Sequence, residues 1–443
     1  MMRLSVRRPG ATALMAALAF VMRGELASAQ DSSTTVRIGL TYAAGTKPGV
    51  LVLPVNGEQG DSVRAILQRD LDYGDRANVI ATQSFVVDTV TNAGRGQFNY
   101  PLYARLGAAA IVQATVAGVN LHVAVHDVRT QKVERVKDFA LSAAPLSPDW
   151  RMQLHAISDA IEFWITGGRG VAASRILYSS GDRIWQVDSD GANPMPLTPV
   201  SRDIRFPSWH PKATHITYTI QTDEGTRIVV RELGSEGAVR TLPAASGSVN
   251  SGSIFSPDGE SVLYAHGLEN GTDLYVRSLN GTESPRRVTV SRGRIAVSPS
   301  FSPDGRRIVF VTDRPGSLGL YVSDADGTNS EALTPFSFGD RSQRTDPSWS
   351  PDGRLIAFQA ERDGGSQVHT VNVRDRGIRQ YTNEGRNEDP SWSPDSRHLV
   401  FTSNRSGSWQ LWVLDIESNR TRQLTRAAAG ARAGAWSPRL IVH

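Results

Sequence analysis

The sequence predicts an α+β N-terminal domain followed by an all-β six-bladed β-propeller, and two observations lead to that prediction. First, an aromatic residue followed by Ser-Pro-Asp-Gly recurs through the C-terminal two thirds of the 443-residue chain. Its lead aromatics lie 46, 46, 48, 43 and 44 residues apart, a period typical of blades with four strands each. Second, the residues before these repeats lack the motif and mix helical with strand periodicity. The lead aromatics are Trp209, Phe255, Phe301, Trp349, Trp392 and Trp436. The motif is complete after Phe255, Phe301 and Trp349, ends in serine after Trp392, is altered after Trp209 and is truncated after Trp436.

The chemistry of the motif explains its recurrence. Proline fixes φ near −65° in a tight turn, aspartate bonds forward to the backbone, and glycine accepts a positive φ. The aromatic before the turn is large enough to fill the space between neighbouring sheets. Apolar runs such as Leu355-Ile356-Ala357-Phe358 follow the turn and are typical of central strands. Each repeat therefore predicts one blade.

The ends of the repeat region predict how the propeller closes. Residues 175–198 contain a second, third and fourth strand without a first one, and residues 435–442 supply a first strand without the others. Pairing of these N- and C-terminal strands completes a sixth blade. It also removes the free sheet edge that an open array would expose.

Residues 1–29 have the pattern of a cleavable signal peptide, which predicts a periplasmic protein. Arg3, Arg7 and Arg8 precede twelve residues that are apolar except for Thr12, and Ala27-Ser28-Ala29 resembles a cleavage site. The alternative, a membrane anchor, needs about 20 apolar residues. Removing four Arg and one Glu with this segment lowers the formal charge from +4 to +1, so no nucleic-acid partner is expected.

Residues 30–170 are predicted to form a small α/β domain, and residues 171–443 the propeller. Residues 50–55 are typical of a strand, and residues 62–71 of an amphipathic helix. A second helix begins at Ser147-Pro148-Asp149, where a capping hydroxyl, a first-turn proline and an acid follow one another, and it ends at Gly167-Gly168.

Together these features resemble the TolB family, the periplasmic component of the Tol-Pal system of Gram-negative envelopes. The resemblance covers nearly the whole chain after residue 29. Residues 36–40 resemble the family's mature N-terminal segment, although residues 31–34 before them are unusually polar, and the stretch 169–172 lacks an expected Phe. The family's domain junction is matched by His155, Ser158-Asp159, Thr166-Gly167, Arg169-Gly170 and Arg175-Ile176.

The resemblance implies a monomeric scaffold that is peripheral to the outer membrane. Its propeller is expected to bind Pal, the peptidoglycan-associated lipoprotein. Its N-terminal segment, with Val36, Arg37 and Ile38, is expected to reach TolA, an inner-membrane protein. Through Pal it would maintain outer-membrane integrity and constriction at division.

The sequence lacks complete motifs for hydrolytic catalysis and for metal binding. No Gly-x-Ser-x-Gly motif accompanies the repeats, and the chain has no cysteine. The Asp-x-Asp-Gly stretches at residues 188–191 and 324–327 lack the glutamate of a calcium loop, which favours hairpin turns. His122 and His126 would lie about 13 Å apart on a strand, too far to share an ion. We therefore expect no enzyme activity, no cofactor and no metal site.

Polar residues near one mouth of the central channel are the candidate partner-binding site. Asp346 and Asp389 each stand three residues before a lead tryptophan, and Arg344 and Asn387 stand five before it. Together with Glu388 they could form a rim that a partner recognises. The alternative role is structural, because such residues also cap the start of a strand.

Two rival functions stay open at this level. One is a TolB-like paralogue that binds another ligand. The other is a propeller enzyme acting on polysaccharide, which predicts a metal with basic or histidine residues converging in the channel.

Overall fold

The computed structural model describes residues 46–81, 98–234, 237–281, 283–334, 342–362 and 365–442. The proposed signal peptide and Val36, Arg37 and Ile38 lie outside this range. Within it, no helix has both the length and the apolar character that spanning a bilayer requires.

The N-terminal part contains a five-stranded sheet and three described helices. The sheet order is β2-β1-β3-β4-β5, with β1 parallel to both neighbours and the remaining pairs antiparallel. The strands are β1 Gly49–Val52, β2 Asn78–Val79, β3 Ala110–Ala117, β4 Asn120–Asp127 and β5 Lys132–Ala140. The helices are α1 Gly60–Tyr73, α2 Tyr100–Arg105 and α3 Pro148–Thr166.

Helix α3 begins and ends where the sequence predicts. The Ser147 hydroxyl accepts a hydrogen bond from the Trp150 N–H at 3.2 Å, and Gly167 closes the helix at φ 72°. Apolar side chains of α1 and α3 pack on one face of the sheet, and Leu67 and Leu154 there are fully buried. Each such side chain contributes about 1.5–3 kcal/mol relative to an exposed one.

The C-terminal part is a propeller of six four-stranded antiparallel sheets. Five blades are consecutive in sequence, which confirms the repeat assignment. Their strands are β9 Arg205–Trp209, β10 His215–Thr222, β11 Gly225–Glu232, β12 Val239–Thr241, β13 Val249–Phe255, β14 Ser261–Leu268, β15 Gly271–Ser278, β16 Arg286–Arg287, β17 Ala296–Phe301, β18 Arg307–Thr312, β19 Gly319–Asp324, β20 Glu331–Ala332, β21 Gln343–Trp349, β22 Leu355–Arg362, β23 Gly365–Asn372, β24 Ile378–Gln380, β25 Asn387–Trp392, β26 His398–Ser403, β27 Gln410–Asp415 and β28 Thr421–Gln423.

The sixth sheet closes the ring as predicted. Its order is β29-β6-β7-β8, so the last strand of the chain pairs with the first strand of the repeat region. Trp436 lies opposite Ile176 and Ala435 opposite Leu177. These strands are β6 Arg175–Ser180, β7 Arg183–Asp188, β8 Met195–Pro196 and β29 Arg432–Trp436.

Two of the lead tryptophans, Trp392 and Trp209, connect neighbouring blades. The Trp392 indole N–H donates to the Ser348 carbonyl at 3.0 Å, and the Trp209 indole donates to the Ala435 carbonyl at the same distance. Each bond runs from the inner strand of one blade to that of its neighbour. The aromatics therefore fill the space between sheets and also fix the spacing of the strands that line the channel.

Candidate partner-binding site at the channel mouth

The inner strand of every blade carries a β-bulge. Pairing with the second strand shifts register at the same point in all six blades. The residue three positions before each lead aromatic adopts a left-handed conformation, with φ between 48° and 60°. We call these six equivalent positions the bulge ring. It consists of Phe206, Gly252, Ser298, Asp346, Asp389 and Ala433.

All six residues of the bulge ring line one central cavity of about 480 Å³. The inner strands also contribute proline and small residues to its lining, including Pro299, Pro347 and Pro390. The ring itself is uneven, because two neighbouring blades place carboxylates in it while other blades place Phe206 and Ala433. The mouth therefore combines an acidic side with an apolar side.

The two ring aspartates are half-buried and hydrogen-bonded. Asp346 accepts a bond from the Ser298 hydroxyl, the equivalent residue of the preceding blade, at 3.1 Å. Asp389 accepts a bond from the Thr402 hydroxyl at 3.1 Å. Burial and the nearby charge of Asp346 raise the pKa of Asp389 to about 7, and burial also raises the pKa of Asp346. Near neutral pH this pair therefore holds protons that isolated carboxyl groups would release.

The other predicted site residues divide into two groups. Asn387 is fully buried, and its amide bonds Gln367 at 2.8 Å and Arg405 at 2.7 Å, so it has the structural role of a strand cap. Arg344 donates its backbone N–H to the Leu318 carbonyl at 3.0 Å. It is not among the described residues that line the cavities at this mouth.

Glu388 lies in a second cavity, of about 890 Å³, that borders the same mouth. Its carboxylate contacts Arg432 at 3.4 Å, and the Arg432 guanidinium lies 3.8 Å above the centre of the Trp409 ring. Trp409, Phe206 and Asp389 line this cavity too. Asp346 and Asp389 therefore line one cavity, and Asp389 and Glu388 line the other, while their role in binding a partner stays a prediction.

Sequence reasoning missed Phe206, Trp409 and Arg432. Phe206 is 41% exposed despite its aromatic ring and its left-handed φ of 53°. A signal for it was present, since Phe206 stands three residues before Trp209, as Asp346 does before Trp349. No repeat position marks Trp409, because it lies in the turn between β26 and β27, where the blades differ in sequence.

The Asp-x-Asp-Gly stretches are hairpin turns, as predicted. In the first, the Asn193 amide donates to Asp188 at 2.7 Å and Gly191 has a φ of 88°. In the second, Asn329 donates to Asp324 at 2.6 Å. The aspartates thus stabilise the turns through the side chains that follow them.

One group of described residues brings three potential ligand atoms within 4.8 Å of one another: Asp70, His155 and Asp190. Two guanidinium groups already bind the Asp190 carboxylate, that of Arg69 at 2.6 Å and that of Arg151 at 2.7 Å. A cation placed there would face both positive charges. The cluster is therefore a network of ion pairs.

Comparison with known proteins agrees with this architecture. A family model described as "TolB beta propeller domain" matches residues 164–440. The chain is 27% identical over 163 residues to the Tol-Pal system protein TolB of Albidiferax ferrireducens, covering 35% of this chain and 37% of the relative. It is 27% identical over 223 residues to the protein of that name from Polaromonas naphthalenivorans, covering 48% of this chain and 49% of the relative. The matches thus span about half or less of these relatives' length.

A solved structure extends the similarity in fold to the N-terminal part. The crystal structure of TolB from Acinetobacter baumannii has a TM-score of 0.77 with this protein, at 23% identity, and covers 89% of this chain and 97% of that one. Agreement at this identity concerns the fold. Because the family model spans more than half of the chain, and all six blades are complete, the chain belongs to the TolB β-propeller family.

Proposed function

We propose that this protein is a periplasmic protein–protein interaction scaffold that binds Pal through its propeller and TolA through its N-terminal segment. In this role it maintains outer-membrane integrity and supports constriction at division. The observation that carries the proposal is the family match over residues 164–440, combined with a propeller whose channel mouth is open and chemically uneven. The relatives named above are Tol-Pal system proteins, and this gives the proposal its choice of partners.

The channel mouth has the features of a protein-binding surface. Trp409 and Phe206 offer aromatic area beside Arg432, and aromatic residues and arginine dominate the binding energy of many interfaces. Glu388 adds a carboxylate that can orient a partner, and the carboxyl groups of Asp346 and Asp389, which hold protons near neutral pH, can donate or accept hydrogen bonds. The inner strands that carry these groups are fixed by the inter-blade tryptophan bonds. A rigid surface of this kind loses little conformational entropy when it binds.

The N-terminal segment supplies the second contact in this proposal. Val36, Arg37 and Ile38 alternate apolar and charged side chains, as an extended strand does. Such a segment can add to the edge of a partner's sheet through backbone hydrogen bonds. If it also docks on its own protein, the two states form a switch that TolA and Pal bias in opposite directions.

The proposed protein is exported, has two domains and works as a monomer. Residues 1–29 direct export and are removed, residues 30–170 form the α/β domain, and residues 171–443 form the propeller. The mature protein is a monomer held at the outer membrane through Pal. It acts by binding rather than catalysis, without nucleic acid or a cofactor. This is supported by the channel mouth, where the predicted residues that meet are carboxylates held by hydroxyl and guanidinium groups.

Titration calorimetry with Pal from the same organism tests the propeller contact. We expect the chain from residue 30 onward to bind Pal, and Trp409→Ala to weaken binding at least thirtyfold, about 2 kcal/mol for a central aromatic. Phe163→Ala is the matched control, because Phe163 is an exposed aromatic on α3, away from the channel. Absence of Pal binding would overturn the proposal. In that case, the chain from residue 30 onward would be used to capture partners from an envelope extract. Capture of another envelope protein or of a polysaccharide would then identify the rival function.

Deletion of residues 30–40 tests the N-terminal contact in the same assay. We expect the deletion to abolish TolA binding while leaving the propeller folded. Unchanged affinity for both TolA and Pal contradicts the switch.

A further inference from the structure

Two buried histidines lie where the N-terminal α/β part meets the propeller. His155 belongs to α3, and His398 is the first residue of β26. Their side chains are 0% and 1% exposed. Neither lines the cavities at the channel mouth, and only His155 is among the residues that resemble the family's domain junction.

His155 is placed between carboxylates from both sides of the contact. Its Nδ1 bonds Asp70 of α1 at 2.8 Å, and its Nε2 faces Asp190 of the propeller at 3.9 Å without a hydrogen-bond partner. Around it, Ser158 also donates to Asp70, and Arg69 and Arg151 bind Asp190. Asp188, next to Asp190 in the propeller, adds a further negative charge.

His398 has the same arrangement with the two sides exchanged. Its Nδ1 bonds Asp395 of its own blade at 2.9 Å, and its Nε2 faces Asp75, just after α1, at 3.5 Å. Other charged groups surround His398 and its two aspartates. Arg76 bonds Asp395 at 3.0 Å and Glu162 at 3.1 Å, and Arg420 and Lys47 lie beside Asp75. Arg397, next to His398, pairs with Asp415 and Glu417.

Each imidazole therefore has a carboxylate at both nitrogens, one from each side of the contact. A neutral imidazole carries a single N–H. Once Nδ1 donates to the first carboxylate, a neutral Nε2 would present a lone pair to the second one. Only the doubly protonated ring attracts both carboxylates, so the geometry favours imidazolium at both positions.

We propose that His155 and His398 form a proton-dependent clamp between the α/β part and the propeller, which holds at acidic to neutral pH and loosens as the pH rises. The clamp goes beyond the proposed function, since it concerns the internal contact of this chain and needs no partner.

The electrostatic surroundings give the direction of the effect. Burial disfavours the charged imidazoles, but the surrounding carboxylates together outweigh it: Asp70, Asp190 and Asp188 raise the pKa of His155, and Asp395, Asp75 and Asp415 raise that of His398. A group whose folded-state pKa is raised contributes its full stabilisation below its ordinary pKa of about 6.5 and loses it as pH rises through the raised value. Burial also raises the pKa of Glu162 and of Asp188, which acts in the same direction.

The acidic limit has the opposite sign. Although burial opposes it, His155 and Arg69 lower the pKa of Asp190, and His398 lowers that of Asp395. Their stabilisation is present above the ordinary carboxyl pKa of about 4 and is lost as the pH falls through the lowered values. The clamp is therefore tightest between these limits.

Hydrogen exchange of the whole mature chain, without any partner, tests the clamp. We expect the opening constant of α3 and of the 393–398 turn, corrected for the intrinsic pH dependence of exchange, to rise as the pH increases from about 6.5, the ordinary histidine pKa, to the raised values of the folded state. The rise is about tenfold per pH unit for each proton released. His155→Gln and His398→Gln should open more at pH 6 and show less change up to pH 9.

His122→Gln is the matched control, because His122 bonds Asp138 at 2.7 Å in an exposed pair within the α/β part. It should behave like the unmodified chain. A corrected opening constant that stays flat from pH 6 to pH 9 in the unmodified chain overturns the proposal, even if the variants fold poorly. The proposal is also overturned if the corrected opening constant of His155→Gln or of His398→Gln rises with pH as steeply as that of the unmodified chain.

Discussion

At the scale of single residues, the bulge ring shows how one backbone position can carry different chemistry in six blades. Aspartate, serine, glycine, alanine and phenylalanine all occupy the same left-handed conformation. Glycine adopts it without strain and aspartate tolerates it, whereas it is an outlier for a bulky aromatic such as Phe206. The left-handed backbone is therefore a property of the bulge, and the side chain at this position can differ from blade to blade.

Asp389→Asn is expected to change how stability depends on pH. Because the pKa of Asp389 is raised to about 7, the folded state holds a proton that the unfolded state releases near pH 4. Stability therefore falls as pH rises from about 4 to about 7, by at most about 1.4 kcal/mol per pH unit for one group. The asparagine cannot ionise, so its variant should lose less stability over that range, as measured by urea unfolding at several pH values.

Asp223→Asn is the control for this measurement, since the Asp223 side chain is fully exposed. It should reproduce the pH profile of the unmodified chain. Parallel profiles for the Asp389 variant and the unmodified chain would show that Asp389 ionises normally.

At the scale of the element, the Ser-Pro-Asp-Gly turn is the unit that the sequence predicts best. In the third copy, the Ser302 hydroxyl accepts the Arg307 N–H at 2.9 Å and bonds Asp304 at 2.6 Å, while Gly305 has a φ of 69°. Every one of these bonds lies within six consecutive residues. Local chemistry of this kind can be inferred from sequence because it needs no distant partner.

Ser302→Ala should destabilise the protein by about 1–2 kcal/mol, because it leaves the half-buried Arg307 N–H without its acceptor. Thermal unfolding measures the loss. Ser330→Ala, in an exposed turn of the same blade, should have an effect below about 0.5 kcal/mol. Equal effects of the two substitutions would contradict a structural role for the Ser302 hydroxyl.

Elements whose geometry depends on distant residues were harder to predict. The spacing of aspartates before the lead tryptophans correctly placed Asp346 and Asp389 in equivalent positions, but the bulge that orients them arises from pairing between strands. Likewise, the structural role of Asn387 depends on Gln367 and Arg405, which lie about twenty residues away in sequence. Trp409 was missed since its contact with Arg432 joins two different blades.

At the scale of the whole molecule, closure of the ring depends on the last strand of the chain. Strand β29 completes the blade of β6, and the Trp436 indole donates to the Ser174 hydroxyl at 2.8 Å. The repeat count alone predicted this closure, because an incomplete blade at each end of the repeats can be completed only by the other. The network of ion pairs beside the propeller could not be predicted, since its charged residues come from widely separated parts of the sequence.

Truncation after Ala431 should therefore prevent the propeller from forming a closed, cooperative unit. It exposes the edge of β6 and removes Trp436, a buried aromatic whose loss alone costs about 3–5 kcal/mol. Size-exclusion chromatography and calorimetry should show aggregation or a much lower melting temperature. Truncation after Leu440 removes the 84%-exposed Ile441 but retains β29, and should leave both measurements unchanged. Normal melting of the shorter chain would contradict the closure.

The uneven bulge ring gives the propeller a fixed angular reference. Six near-identical blades would offer an axial guest six equivalent rotational settings, 60° apart by symmetry. Carboxylates at only two adjacent blades, with Phe206 elsewhere on the ring, make those settings unequal in energy. A guest that entered along the axis would therefore meet one preferred rotational setting rather than six equal ones.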